Sequence, residues 1–87
     1  MKIIVLNLNR NLEQKKLEKL FVKYGKVDSC NIVTDKATGR SKGFGFVQMP
    51  DESEAAVAIK ALHGTQVSGN KIRVKISDNK EEQITNV

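Results

Sequence analysis

The chain opens on a short apolar block, IIVLNL at 3 to 8, whose branched side chains favour a strand over a helix. Asn11 then offers an N-cap, with Gln14 as its reciprocal capping-box partner. Leu17, Leu20, Phe21 and Tyr24 recur with the spacing of one helix face, and Gly25 stands where a left-handed residue would end the helix, so the spacing predicts a helix from about Leu12 to Tyr24. Residues 27 to 34 (VDSCNIVT) predict a second strand, and 35 to 43 (DKATGRSKG) a mobile, positively charged loop. FGFVQM at 44 to 49 predicts a third strand, stopped by Pro50. Asp51 and Glu54 repeat the capping-box pattern, Ala55, Ala58, Ile59 and Leu62 repeat the helical stripe, and Gly64 closes that second helix. After a polar turn at Ser68-Gly69-Asn70, KIRVKI at 71 to 76 alternates basic and apolar residues as a half-exposed strand does. The final stretch, 78 to 87 (DNKEEQITNV), has no sustained apolar period and is expected to be a flexible polar tail, leaving one folded domain over 1 to 77.

The order is βαββαβ, which predicts an α+β fold of the ferredoxin-like kind: a four-stranded antiparallel sheet with two helices on one face and the other face open. Strand parity then sorts the side chains. Phe44, Phe46 and Gln48 share one face of the third strand and Gly43, Gly45, Val47 and Met49 the other, while Arg73 and Lys75 oppose Ile72, Val74 and Ile76 on the last strand.

Composition narrows the reading. At 87 residues, the chain builds one small core, and 39% hydrophobic with 29% charged residues is too apolar for a disordered chain and too charged for a membrane protein. The net charge of +5 favours polyanionic partners, and it is unevenly spread: 1 to 77 hold 14 Lys and Arg against 7 Asp and Glu, whereas 78 to 87 are acidic. The single cysteine, Cys30, excludes an internal disulfide and any two-thiolate metal clamp, so neither metal nor other cofactor is expected, and a reducing, cytoplasmic home is the simplest reading. The longest apolar run, Ile3 to Leu6, is too short to span a membrane and no cleavable leader is evident, so no membrane partner is expected. A start just before the first strand fits a small self-contained protein.

Residues 42 to 49 read KGFGFVQM, and here the sequence resembles the RNA-recognition motif family, whose third-strand octamer has the form Lys/Arg, Gly, aromatic, Gly/Ala, Phe, aliphatic, any residue, aromatic. Met49 departs at the last position, which the family turns toward the core. The family's first-strand hexamer corresponds to IIVLNL, with Ile4 where a base-stacking aromatic is usual. The resemblance extends over residues 2 to 77: DKATGRSKG matches the loop between the second and third strands, AIKALHG (58 to 64) the end of the second helix, and GNKIRVKIS (69 to 77) the last strand. The short cyanobacterial and plant glycine-rich RNA-binding proteins are similar in these segments, although no glycine-rich tail is present here.

The resemblance implies a module that binds single-stranded RNA, and single-stranded DNA as a second substrate, as a monomer, in the manner of an RNA chaperone or post-transcriptional regulator. It implies that Phe44 and Phe46 are exposed platforms, although parity alone would bury them as core residues. Around them it places Ile4 and Leu6 on the first strand, Asn31 and Val33 on the second, Gln48 on the third, and Arg73, Lys75 and Ser77 on the last. Asn7, Lys36, Arg40 and Lys42 are candidates at strand ends and in the basic loop, the cations facing phosphate. Ile4 is either a weaker apolar platform or a residue that merely closes the sheet. In the second case a protein-interaction module of the same fold is the alternative reading.

Other features read as structural. Lys15, Lys16, Lys19 and Lys23 form a solvated helix face, Cys30 a small buried apolar residue, and His63 a helix-end residue. Arg10 lies where acylphosphatases of this topology hold a phosphate, but the glycine-rich cradle is missing. Neither a nucleophile-base pair nor paired carboxylates emerge, so no enzyme is expected.

Overall fold

Alternating branched residues, separated by segments of helical period, settle into a sheet with helices along one side. The computed structural model describes residues 1–77; the tail expected at 78 to 87 lies outside the described residues. The elements are β1 (Lys2–Leu6), α1 (Gln14–Val22), β2 (Ser29–Thr34), β3 (Ser41–Gln48), α2 (Glu52–Leu62), β4 (Gln66–Val67), β5 (Asn70–Lys71) and β6 (Arg73–Ile76). The main sheet has the order β2-β3-β1-β6 and is antiparallel throughout, as the ferredoxin-like pattern predicts. β4 and β5 form a separate small hairpin, and Ile72 interrupts what the alternation predicts as one strand over 71 to 76.

Every second strand residue turns inward against the helices. Ile3, Val5, Val47, Met49, Ile72 and Val74 meet Leu17 and Phe21 of α1 and Ala55, Ala58 and Leu62 of α2 in one core cluster. Large side chains buried this completely contribute roughly 1.5–3 kcal/mol each relative to exposure. Gly45 belongs to this inward parity for a different reason: a Cβ there would lie 2.5 Å from the carbonyl oxygen of Asn31, so its bareness lets β2 and β3 approach. Ile76 keeps the inward parity, paired with Ile3, yet stays 49% exposed at the strand end.

The two helix starts differ. Asp51 caps α2 as predicted, its carboxylate accepting from the Glu54 N–H at 3.1 Å. The reciprocal half of the box is absent, because the Glu54 carboxylate accepts from the N–H of Lys26 instead. At α1 the predicted box does not form: the N-cap is Glu13, without a side-chain cap. Asn9 takes the local turn, accepting from the Asn11 N–H at 2.7 Å, and the Gln14 side chain reaches across to accept the Ile32 N–H of β2 at 3.1 Å. Gly25, with φ 157, is not the left-handed cap expected; it lies flat against the Glu54 side chain, where any Cβ would collide. Gly64, with φ 82, does take the left-handed position after α2. Beside it the His63 Nδ1 accepts the Val74 N–H of β6 at 3.0 Å.

Candidate nucleic-acid interface

The register of the main sheet lays the outward residues in rows. Asn31 of β2, Phe46 of β3, Ile4 of β1 and Lys75 of β6 are successive Cα partners across the whole sheet. A neighbouring row holds Ser29, Gln48 and Lys2, and at the far end of β1 Leu6 pairs with Arg73. Phe44 and Phe46 are half-buried rather than in the core, with ring centroids 6.1 Å apart and planes at 85°. This edge-to-face contact fixes each ring against the other while part of its surface stays open. Ile4 and Leu6 are likewise half-buried, so β1 contributes aliphatic flooring beside the rings. Arg73, Lys75, Gln48 and Asn31 are exposed along the margins.

The loop between β2 and β3 is more built than the sequence suggests. The loop is shorter than the 35 to 43 expected, and within it Asp35 and Arg40 close a tight turn: the Asp35 N–H donates to the Arg40 carbonyl and the Gly39 N–H to the Asp35 carbonyl, both at 2.7 Å. The Asp35 carboxylate also accepts from the Ala37 N–H at 2.7 Å, and residues 41 to 43 join β3. This turn brings Arg40 and Lys42 to grooves that Phe44 also lines, and it leaves Lys36 exposed.

Two expected contacts, Asn7 and Ser77, are placed differently. Asn7, at φ 61, donates its side-chain amide to the Lys71 carbonyl at 2.8 Å and its carbonyl accepts from the Asn70 side chain at 3.3 Å; it ties the end of β1 to β5, so that donor is already engaged. Ser77, expected on the open face, is 8% exposed, and its N–H donates to the Lys2 carbonyl at 2.7 Å. Val33 is half-buried where the β2–β3 register shifts between Ile32 and Thr34, and Asn31 next to that shift is the more open of the two.

Two cations escaped the sequence reading. Arg10 lines the same grooves as Arg40 and Lys42 beside Phe44, because the turn after β1 folds back toward the β2–β3 turn. No local pattern announces this placement. Lys2 was legible in principle, since it shares parity with Ile4: its Nζ lies 4.7 Å from the centroid of the Phe46 ring. On the opposite face of the sheet Cys30 is buried, its thiol pKa pushed up to about 11 first by burial and then by the Glu18 carboxylate. It is therefore a protonated core side chain at neutral pH. No group of His, Cys, Asp and Glu fit to hold a metal is found among the described residues, and no described helix is long and apolar enough to cross a membrane.

An open four-stranded sheet with paired aromatics on β3 and a basic margin defines a class, and comparison with known proteins agrees. The RNA recognition motif model matches residues 3–73, and the chain belongs to that family, one of RNA-binding modules and not of enzymes. Among its relatives, the chloroplastic RNA-binding protein CP31B of Arabidopsis thaliana is 46% identical over 77 residues, covering 88% of this chain and 27% of that protein. The putative RNA-binding protein RbpA of Nostoc sp. is 39% identical over 83 residues, covering 95% of this chain and 81% of that one. The chain thus spans a third or less of two chloroplast relatives, at 27% and 33%, but most of the Nostoc protein. The crystal structure of RNA binding protein PG1 superposes with a TM-score of 0.86 at 44% identity, covering 88% of this chain and 93% of that one. A Sex-lethal protein–RNA complex matches with a TM-score of 0.84 at 31% identity, covering 88% of this chain and 46% of that chain.

Proposed function

We propose that residues 1 to 77 form a module that binds single-stranded RNA, and also single-stranded DNA, on the open sheet face, as a post-transcriptional regulator or RNA chaperone. The observation that supports this most directly is the outward placement of Phe44 and Phe46 in the row system with Ile4, Asn31 and Lys75. Single strands offer flat π faces and a charged backbone, so rigid rings interleaved with cations are what such a ligand requires. Each base stacked on a ring contributes about 1–3 kcal/mol, and each phosphate met by Arg40, Lys42, Arg73 or Lys75 releases counterions and makes binding weaken with salt. Relatives named for RNA binding, and the Sex-lethal complex that contains RNA, support the same reading. One copy presents the whole face, so a monomer suffices.

A titration with short RNA oligonucleotides followed by amide shifts tests it. Shifts are expected at Ile4, Phe44, Phe46 and Arg73; saturating RNA that leaves those strands unmoved overturns the proposal. The Phe44→Ala/Phe46→Ala double variant is expected to stay folded and to lose RNA binding by two stacked bases, a fall of about 30-fold or more in affinity. Unchanged RNA affinity in that variant points instead to the protein-interaction reading.

A further inference from the structure

Lys2 occupies the first position of β1 and faces outward with Ile4 and Leu6. Its ammonium lies 4.7 Å from the Phe46 centroid, while the edge-to-face contact with Phe44 occupies another approach to that ring. A base that stacks on Phe46 therefore meets a cation already over the ring. The ammonium and a base cannot cover the same face of the ring, and base stacking is the stronger of the two contacts with it, so the base displaces the ammonium from the ring. The ammonium does not travel far, because the Lys2 backbone is held on both sides. Lys2 pairs in register with Gln48 on β3, and its carbonyl accepts from the Ser77 N–H at 2.7 Å.

We propose that Lys2 is a base-reading residue: it covers Phe46 in the free protein and, once a base stacks there, donates to that base's keto oxygen, favouring uracil and guanine over cytosine and adenine. The inference rests on the RNA-binding reading of the same face. Its chemistry is simple. An ammonium has three donors and no acceptor. Uracil O4 and guanine O6 are acceptors at the positions where cytosine N4 and adenine N6 carry hydrogens. Uracil and cytosine are also of one ring size, as are guanine and adenine, so stacking on Phe46 is nearly equal within each pair. Gln48, the neighbour of Lys2 across the strands, carries both a donor and an acceptor and does not impose the same choice.

The test compares affinities for oligouridylate and oligocytidylate of equal length, at two salt concentrations, for the wild type, Lys2→Met and Lys2→Arg. The wild type is expected to prefer oligouridylate about fivefold, the effect of one charge-assisted hydrogen bond at an exposed site. Lys2→Met should bind both within about twofold of each other, and Lys2→Arg should keep the preference. Equal weakening of both ligands in Lys2→Met, with a shallower salt slope, makes Lys2 a phosphate contact and overturns the proposal. Equal tightening makes it a mere plug and does the same. A spectroscopic readout stands independently of the variants: in the free wild type the Lys2 ε-methylene protons should be shifted upfield by the Phe46 ring and move on adding oligouridylate. Absence of that shift overturns the covering contact. Failure of the wild type to bind either oligonucleotide sinks the RNA-binding reading itself, whereas binding without base preference sinks only the role of Lys2.

Discussion

β3 serves two surfaces with alternate residues, and they obey different rules. On its inner side Gly45, Val47 and Met49 just beyond the strand are buried, and a backbone from β2 approaches Gly45 too closely for any side chain. On its outer side Phe44, Phe46 and Gln48 are half-buried or exposed; the two rings touch each other, and the Lys2 ammonium lies over that of Phe46. Both sides are rich in apolar atoms. What separates them, among the described residues, is packing: the inner side chains lie buried in the core cluster, while the outer ones stay half-buried or exposed on the face we propose for RNA.

The largest expected effect that probes this division is on stability. Met49→Ala empties a fully buried site and should lower the unfolding free energy by about 2–5 kcal/mol in a denaturant titration. Phe46→Ala, three residues earlier and larger by volume, should cost far less, since its ring stands partly outside; equal losses would mean the two faces are not energetically distinct. Next comes Gly45→Ala. The added methyl must push back the Asn31 carbonyl, and a loss of about 1–3 kcal/mol is expected, with the largest amide shifts on β2 and β3. The smallest effect concerns Cys30 on the inner side of β2. Its folded pKa, about 11, lies above the ordinary thiol value of 9.0, so over that range the unfolded chain releases a proton that the folded chain retains. Stability from this group is intact below pH 9 and falls as pH rises from about 9 toward 11, in the sense that proton linkage requires. Thermal melts of the wild type and Cys30→Ala across that range check it: the two should converge as pH rises. At neutral pH a thiol reagent should modify Cys30 slowly and a cysteine placed by Asn31→Cys quickly.

Much of this division was readable in the chain. Branched residues in short runs gave the strands, the helical stripes gave Leu17, Phe21, Ala55, Ala58 and Leu62 as core, and the octamer assigned Phe44 and Phe46 outward against what parity alone suggests. The misses share a cause. Gln14, Glu54 and Asn7 carry side chains that sequence patterns assign to local capping or to ligand, and each is taken instead by a backbone group far along the chain, at Ile32, Lys26 and Lys71. A local pattern states what a polar side chain is able to satisfy, not which orphaned backbone group reaches it first. Arg10 was missed for a related reason, since its place beside Arg40 and Phe44 follows from how two turns fold toward each other.

The hydrogen bonds of Gln14 and His63 acquire a further meaning when the ends of the sheet are considered together. β2 and β6 are its outermost strands, and a strand with unanswered N–H groups is a template on which another chain can polymerise. At one border the Gln14 side chain takes the Ile32 N–H; at the other His63 takes that of Val74 and the Thr65 carbonyl that of Ile72. Gln14 at the start of the first helix and His63 just past the end of the second thus act as selvedges, each tying off an N–H of the woven border on which a further strand would otherwise build.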